Sequence, residues 1–282
     1  MKRALALALV LAAGGFAAAH ARGASKTAPL LGGWVQVVAY SDSDVRICPD
    51  YAIAVAPRAG GPPSFCSTGL PAAGVQTDAL PYHSTNPDES WGFLYLTGTY
   101  DSGTFTVSSQ SATNQSGPEP PLLVTPPCPR PRHGWRLVLP TDKQWHALER
   151  YQRHHRHDIV GVEMFDGGSN VGAVLTVAST HPRRARKTLR RAWPRQLCVV
   201  RSRYSMSQFR HAQKETVNLL MADDEATYGW VSGAGGSTAT NDGQPATSLD
   251  LLVETPAVSD VLDTLPQGIV AVDASLHPVA AS

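Results

Sequence analysis

The sequence predicts an α+β protein in two parts: a small antiparallel, OB-like β-barrel followed by two tandem α-β-β-α-β units. Three observations carry this reading. Residues 29–110 hold short β-branched and aromatic runs separated by turn residues, with almost no helical periodicity. From Thr141 the apolar period changes to that of amphipathic helices. The order helix, strand, strand, helix, strand is then read twice before the chain ends.

Residues 1–21 are expected to be a cleaved signal peptide. Met1-Lys2-Arg3 is a positive start, Ala4 to Ala18 is uncharged, and Ala19 and Ala21 place small residues at a cleavage site. The run is short for a span of ~20 residues and is broken by Gly14-Gly15. The expected product is a secreted or otherwise extracytoplasmic protein cleaved near Ala21, with no later transmembrane segment.

In the front part, Trp34–Tyr40 and Tyr51–Pro57 read as strands flanking the turn-rich Ser41–Asp50. Trp91–Tyr100 alternates well, with Phe93, Tyr95, Thr97 and Thr99 on one face and Leu94, Leu96 and Gly98 on the other, and Asp101-Ser102-Gly103 turns it into Thr104–Ser108, the clearest hairpin in the chain. Residues 111–139 form a connector made extended and semi-rigid by Pro118, Pro120, Pro121, Pro126, Pro127, Pro129 and Pro131.

Residues 140–282 are expected to be the duplicated part. Thr141 or Asp142 caps a helix, with Trp145, Leu148 and Tyr151 or Gln152 inward. Ile159–Phe165 and Val171–Ala178 follow as strands. Pro182 then opens a helix with Ala185, Leu189 and Trp193 inward, and Gln196–Arg203 closes the unit as a strand. The second round runs through a helix from Ser205 to Met221, with Phe209, Ala212, Val217 and Leu220 on its apolar side. Strands at Tyr228–Gly236 and Ala246–Glu254, a helix opened by Pro256 and a strand at Ile269–Ala274 complete it.

Four cysteines remain after signal removal: Cys48, Cys66, Cys128 and Cys198. An even count in an oxidising compartment favours disulfides, in any of three connectivities, over zinc, since no pair has C-x-x-C spacing. A Cys48–Cys66 bond would close a modest loop; a Cys128–Cys198 bond would pin the connector onto the second part.

Charge is segregated along the chain. Residues 22–129 carry a balance of −4, residues 130–214 a balance of +13, and residues 215–282 a balance of −10 with no Lys or Arg. Such asymmetry means either an external partner or two oppositely charged segments that pack together, and the second accounts for both blocks at once. Nucleic acid is not the expected partner, because the aromatic-rich front block is acidic.

Two polar clusters stand out. His154, His157 and Asp158 have helical spacing that could share a metal, but the Arg residues among them would repel one, and cations commonly gather at a helix C-terminus. Arg183, Arg184, Arg186, Lys187, Arg190 and Arg191 form a basic helix face able to hold anions, or simply to be solvated. No catalytic residue is assigned and no cofactor is expected: there is no G-x-S-x-G, and Gly233-Ala234-Gly235-Gly236 precedes no helix.

Arg46-Ile47-Cys48, Pro62-Pro63-Ser64-Phe65-Cys66, Gly98-Thr99-Tyr100-Asp101-Ser102-Gly103-Thr104-Phe105-Thr106-Val107, Cys128-Pro129, Gly134-Trp135, Gly161-Val162 and Leu197-Cys198-Val199 occur in that order. In this the chain resembles an uncharacterised family of secreted or lipoprotein-type actinobacterial proteins. It departs from them in lacking a lipobox Cys and in having Ser102 where a second turn Gly is usual. The resemblance implies a two-domain exported protein with paired cysteines and implies no activity. The leading expectation is a non-enzymatic binding or interaction module meeting a protein or cell-envelope partner. The alternatives are an envelope hydrolase with its site at the domain junction, and a polyanion binder using the 182–193 helix.

Overall fold

The computed structural model describes residues 28–48, 66, 68–83, 89–113, 126–136, 138–166, 173–222, 224, 227–239 and 242–279. The expected signal peptide and the expected strand Tyr51–Pro57 lie outside the described residues. Within them the chain is a mixed α+β structure, mostly sheet, with twelve strands and four α-helices.

The front strands are β1 (Leu30–Ser41), β2 (Asp44–Cys48), β3 (Leu70–Ala73), β4 (Tyr82–His83), β5 (Ser90–Asp101) and β6 (Thr104–Ser111). Their side chains alternate as a pleated strand requires: Val35, Val37, Leu94 and Leu96 are buried, while Trp34, Phe93 and Tyr95 stand on the other face. β1 pairs antiparallel with β2 and with β5; β2 pairs with β3, β3 runs parallel to β6, and β6 pairs with β5. The β5–β6 turn places Ser102 (φ 49°) and Gly103 (φ 83°) both in the left-handed region, the geometry of a two-residue I′ hairpin.

The turn that the sequence predicts over Ser41–Asp50 is confined, among the described residues, to two positions. Only Asp42 and Ser43 turn; Asp44–Cys48 is a strand paired along β1, from Ala39↔Val45 to Gln36↔Cys48. Val45 and Ile47 enter the core while Arg46 points out and bonds Asp44, so a five-residue alternation suffices. Cys48 bonds Cys66 and Cys128 bonds Cys198, which selects one of the three connectivities.

The back half contains α1 (Asp142–His154), β7 (Ile159–Asp166), β8 (Ala173–Ser179), α2 (Pro182–Leu189) and β9 (Leu197–Arg201). It continues with α3 (Met206–Leu220), β10 (Val231–Ala239), β11 (Pro245–Val253), α4 (Pro256–Asp263) and β12 (Val270–Pro278). In each run the first two strands pair antiparallel and the last two pair parallel across a helix. Thr141 and Ser205 begin α1 and α3 with the same reciprocal capping box, to Gln144 and Gln208.

The helix faces refine the sequence reading. Gln144, Leu148 and Tyr151 are the buried side of α1, and Trp145 is only partly covered, edge-on to Trp193. On α3 the buried stripe is Phe209, Ala212, Thr216 and Leu219, not Val217 and Leu220, and Val217 is exposed. A 3, 4, 3 spacing keeps one face in register; Thr216 is admitted to it because its hydroxyl donates to Gln213 O.

Two junctions hold the parts together. β12 pairs with the start of β1 at Gly32↔His277 and Leu31↔Pro278, so one nine-stranded sheet spans the front strands and the second run. Trp230, Leu252, Val253 and Leu276 join the front core, and Trp230 Nε1 donates to Thr68 O at 2.7 Å. The first run has its own three-stranded sheet, and β7 packs against β10 and β11. Arg203–Asp242 joins the basic block to the acidic one between distant parts of the chain, and His211–Glu215 joins them within α3. The seam is largely apolar, built on Val160, Tyr204, Phe209, Ala212, Leu265 and Ile269.

Candidate functional site

The geometry that best suits a ligand lies on the first run, where the connector crosses it. The parallel β8–β9 ladder uses Gln196 O and the N–H of Ser202, so the backbone groups of Arg195, Leu197, Val199 and Arg201 face away from β8. The connector 126–136 is tied to this strand at two points. The Cys128–Cys198 bond fixes one end, and Arg136 N–H donates to Arg195 O at 2.9 Å. Further along, Gln196 Nε2 donates to Val138 O at 2.7 Å while its Oε1 accepts from Gln144 Nε2.

The space left between this strap and α2 is a cleft of about 360 Å³. Its floor is Trp193, Leu197, Val199 and the disulfide; Trp135 forms one wall, and Arg186, Arg190 and Arg195 surround it. Arg186 is held in place by donating from Nη2 to Val199 O at 2.8 Å. Arg195 sits at φ 59°, a left-handed conformation costly for a side chain with a Cβ. No acidic residue lines the cleft, and none of its three guanidinium groups takes part in an ion pair among the described residues. Trp193 is fully buried, its Nε1 donating to Gln144 O at 3.2 Å, so the floor is rigid.

The basic face expected on the Pro182 helix is therefore divided. Arg186 and Arg190 enter the cleft; Arg184 turns to Asp158; Arg183, Lys187 and Arg191 are exposed outside it. Arg195 and Trp135 escaped the sequence reading. The signal that could have found them is the cysteine pair, since joining Cys128 to Cys198 carries Trp135 and Arg195 to the same place.

The three candidate metal ligands, His154, His157 and Asp158, have separate surroundings. His154 Nδ1 lies 2.7 Å from Arg150 O in its own helix, and His157 is exposed. Asp158 is buried and accepts from Tyr151 OH (3.1 Å) and Arg184 Nη1 (3.2 Å), with His181 Nδ1 at 3.1 Å. A carboxylate saturated by an arginine and a phenol serves the core. Burial first, and the bond to Asp158 second, push the Tyr151 phenol well above its ordinary range, so it stays a donor. No group of three His, Cys, Asp or Glu among the described residues is placed to hold a metal ion.

A second concavity, of about 990 Å³, opens where the second run meets the front strands. Leu31, Val253 and Leu276 are its buried apolar base, Tyr100 and Pro256 form walls, and Glu254, Asp260 and Asp273 stand at its rim. Ser259 Oγ donates to Glu254 Oε1 at 2.8 Å. No helix among the described residues is long and apolar enough to cross a membrane. No protein-family model matches the chain, and no curated protein matches it either.

Proposed function

We propose that this is an exported, non-enzymatic binding module that captures an anionic group in the arginine cleft of its first α-β-β-α-β unit. The observation that carries the proposal is a cleft with three guanidinium groups and no carboxylate beside an apolar floor. Bringing like charges together costs energy unless a counter-charge arrives, and guanidinium forks match phosphate, sulfate and carboxylate groups. Its volume suits one anionic unit with a flat or apolar neighbour lying on Trp135. An envelope polymer carrying repeated phosphate or sulfate groups is the partner of that chemistry.

The finer architecture belongs to the same reading. The front strands are an OB-like barrel, supported by the circuit β1–β2–β3–β6–β5–β1 with its one parallel pair. The back half is a tandem duplication, supported by the repeated element order and pairings. Export is supported by the signal-like N-terminus and by two disulfides in the folded chain. A hydrolase at the junction is the second reading, favoured by the large cavity and its three carboxylates. The hydrogen bond described there gives Ser259 to a carboxylate and not to an imidazole.

The test is retention on heparin with a salt gradient. Arg190→Gln with Arg195→Asn should lower affinity at least tenfold and reduce the salt slope by about two, one for each charge removed. Arg183→Gln with Lys187→Gln, outside the cleft, should do much less. Equal losses from both pairs would replace the cleft with a diffuse basic surface; no retention of the parent protein would end the proposal.

A further inference from the structure

The outer edge of the last strand is handled differently in the two runs. In the first run the edge of β9 is occupied: Arg136 N–H takes Arg195 O, and Arg186, four residues after the helix-opening Pro182, takes Val199 O. In the second run the β11–β12 ladder uses Ile269 O for Thr247 N–H, so Val270, Val272 and Ala274 direct their backbone groups to the other side. β1 pairs with β12 at His277 and Pro278, with Val279 N–H donating to Leu30 O beyond them and Gly33 packed against Ser275 O before them. Between Val270 and Ala274 that edge has no strand partner among the described residues, and Val272 and Asp273 are exposed.

Four residues after the helix-opening Pro256 stands Asp260, where the first run has Arg186. A carboxylate cannot donate to a carbonyl edge, so the guard present on β9 is absent here. Asp260 instead lines the large cavity into which Val272 and Ala274 also face. The edge therefore opens into a groove whose base is apolar and whose rim carries three carboxylates, Glu254, Asp260 and Asp273, with His277 at the end where β12 meets β1.

We propose that this edge is a strand-addition site for an extended basic segment of a partner protein. The incoming backbone pairs with Val270, Val272 and Ala274; alternate side chains enter the apolar base, and lysines or arginines between them meet the acidic rim. The charge of the groove selects this occupant: there is no Lys or Arg from Glu215 to residue 282, so an acidic strand would meet three carboxylates against one histidine. The site is separate from the arginine cleft and opposite to it in chemistry.

The test is fluorescence anisotropy of a labelled, blocked heptapeptide of alternating lysine and valine, using the full mature chain. Binding should weaken as salt rises. Val272→Pro removes an N–H that points out of the β11–β12 ladder and should cut affinity at least tenfold with the melting temperature unchanged, whereas Val272→Thr should bind as the parent does. Asp260→Asn with Asp273→Asn should lower affinity about fivefold or more while leaving heparin retention intact. A peptide N-methylated at alternate amides should fail to bind, a control that does not depend on how any variant folds. Absence of peptide binding, unchanged affinity for the N-methylated peptide, or equal competition by dodecyltrimethylammonium would overturn the proposal; the last would assign the groove to a small apolar cation.

Discussion

The two α-β-β-α-β runs share an element order, strand pairings and a proline at the first position of the crossover helix, yet they present opposite surfaces at the same strand edge. In the first, a disulfide-bound strap and an arginine consume the edge carbonyls, and what remains for a ligand is side-chain charge. In the second, the edge is left bare and its surroundings are acidic. An unpaired edge is an aggregation hazard unless it is covered or charged, and here each run uses one of those remedies. Covering the edge makes an anion cleft; charging it makes a groove that a basic strand can enter.

The largest difference between the two edges is expected from loss of Cys128–Cys198. That bond joins residues 70 apart, against 18 for Cys48–Cys66. By loop-closure entropy the longer loop should be worth about 4 kcal/mol and the shorter about 3. Replacing Cys128 and Cys198 by Ser should therefore lower urea stability by about 4 kcal/mol and free the strap from β9. Heparin retention should fall as far as in the Arg190/Arg195 variant, while peptide binding at β12 should persist. A variant that loses both activities together would mean that the two edges are not independent.

A smaller loss is expected at the other junction. Trp230 is buried at φ 53°, edge-on to Tyr100, with its indole N–H on Thr68 O. Trp230→Phe keeps an aromatic ring but leaves that carbonyl without its donor, a cost of about 1–2 kcal/mol. Chemical denaturation should register it, with peptide affinity at β12 weakened because the groove wall is set by this contact. The arginine cleft, which shares no residue with the junction, should be unaffected.

Those effects follow the line between what one sequence displays and what only folding brings together. The Trp91–Tyr100 alternation, the Ser102-Gly103 turn and the two helix-opening prolines act within a few residues, and each was legible. Val45 and Ile47 were lost among turn formers because a strand so short presents only two inward residues. On α3 the stripe was displaced because Thr216 is polar by composition and buried by virtue of one local hydrogen bond. The site was legible only in part: Arg186 and Arg190 lie on one helix face, but Trp135 and Arg195 reach them through a pairing that the sequence left open. The bare edge of β12 is a property of pairing geometry and has no signature in residue type. Only the exchange of Arg186 for Asp260, each four residues after its helix-opening proline, marks it.

Where the runs touch, the expected effect is smallest and depends on pH. Glu163 on β7 is half-buried beside Gly161, Gly243 and Pro245, at the seam between the two runs. Burial raises its pKa above 4.5, and the bond from the Met164 backbone N–H only partly opposes that shift. The folded chain thus binds a proton more tightly than the unfolded chain. Stability is full below the unfolded value and declines as pH rises through the higher folded one, since in that window the folded state holds more protons. Glu163→Gln removes the ionisation, so its stability should stay level where the parent's falls. At neutral pH it should exceed the parent by a few tenths of a kcal/mol, the partial exposure keeping the gain small. Parallel melting curves from pH 4 to pH 8 measure this. A parent whose stability instead climbs through that interval would place the controlling charge away from Glu163 and the seam.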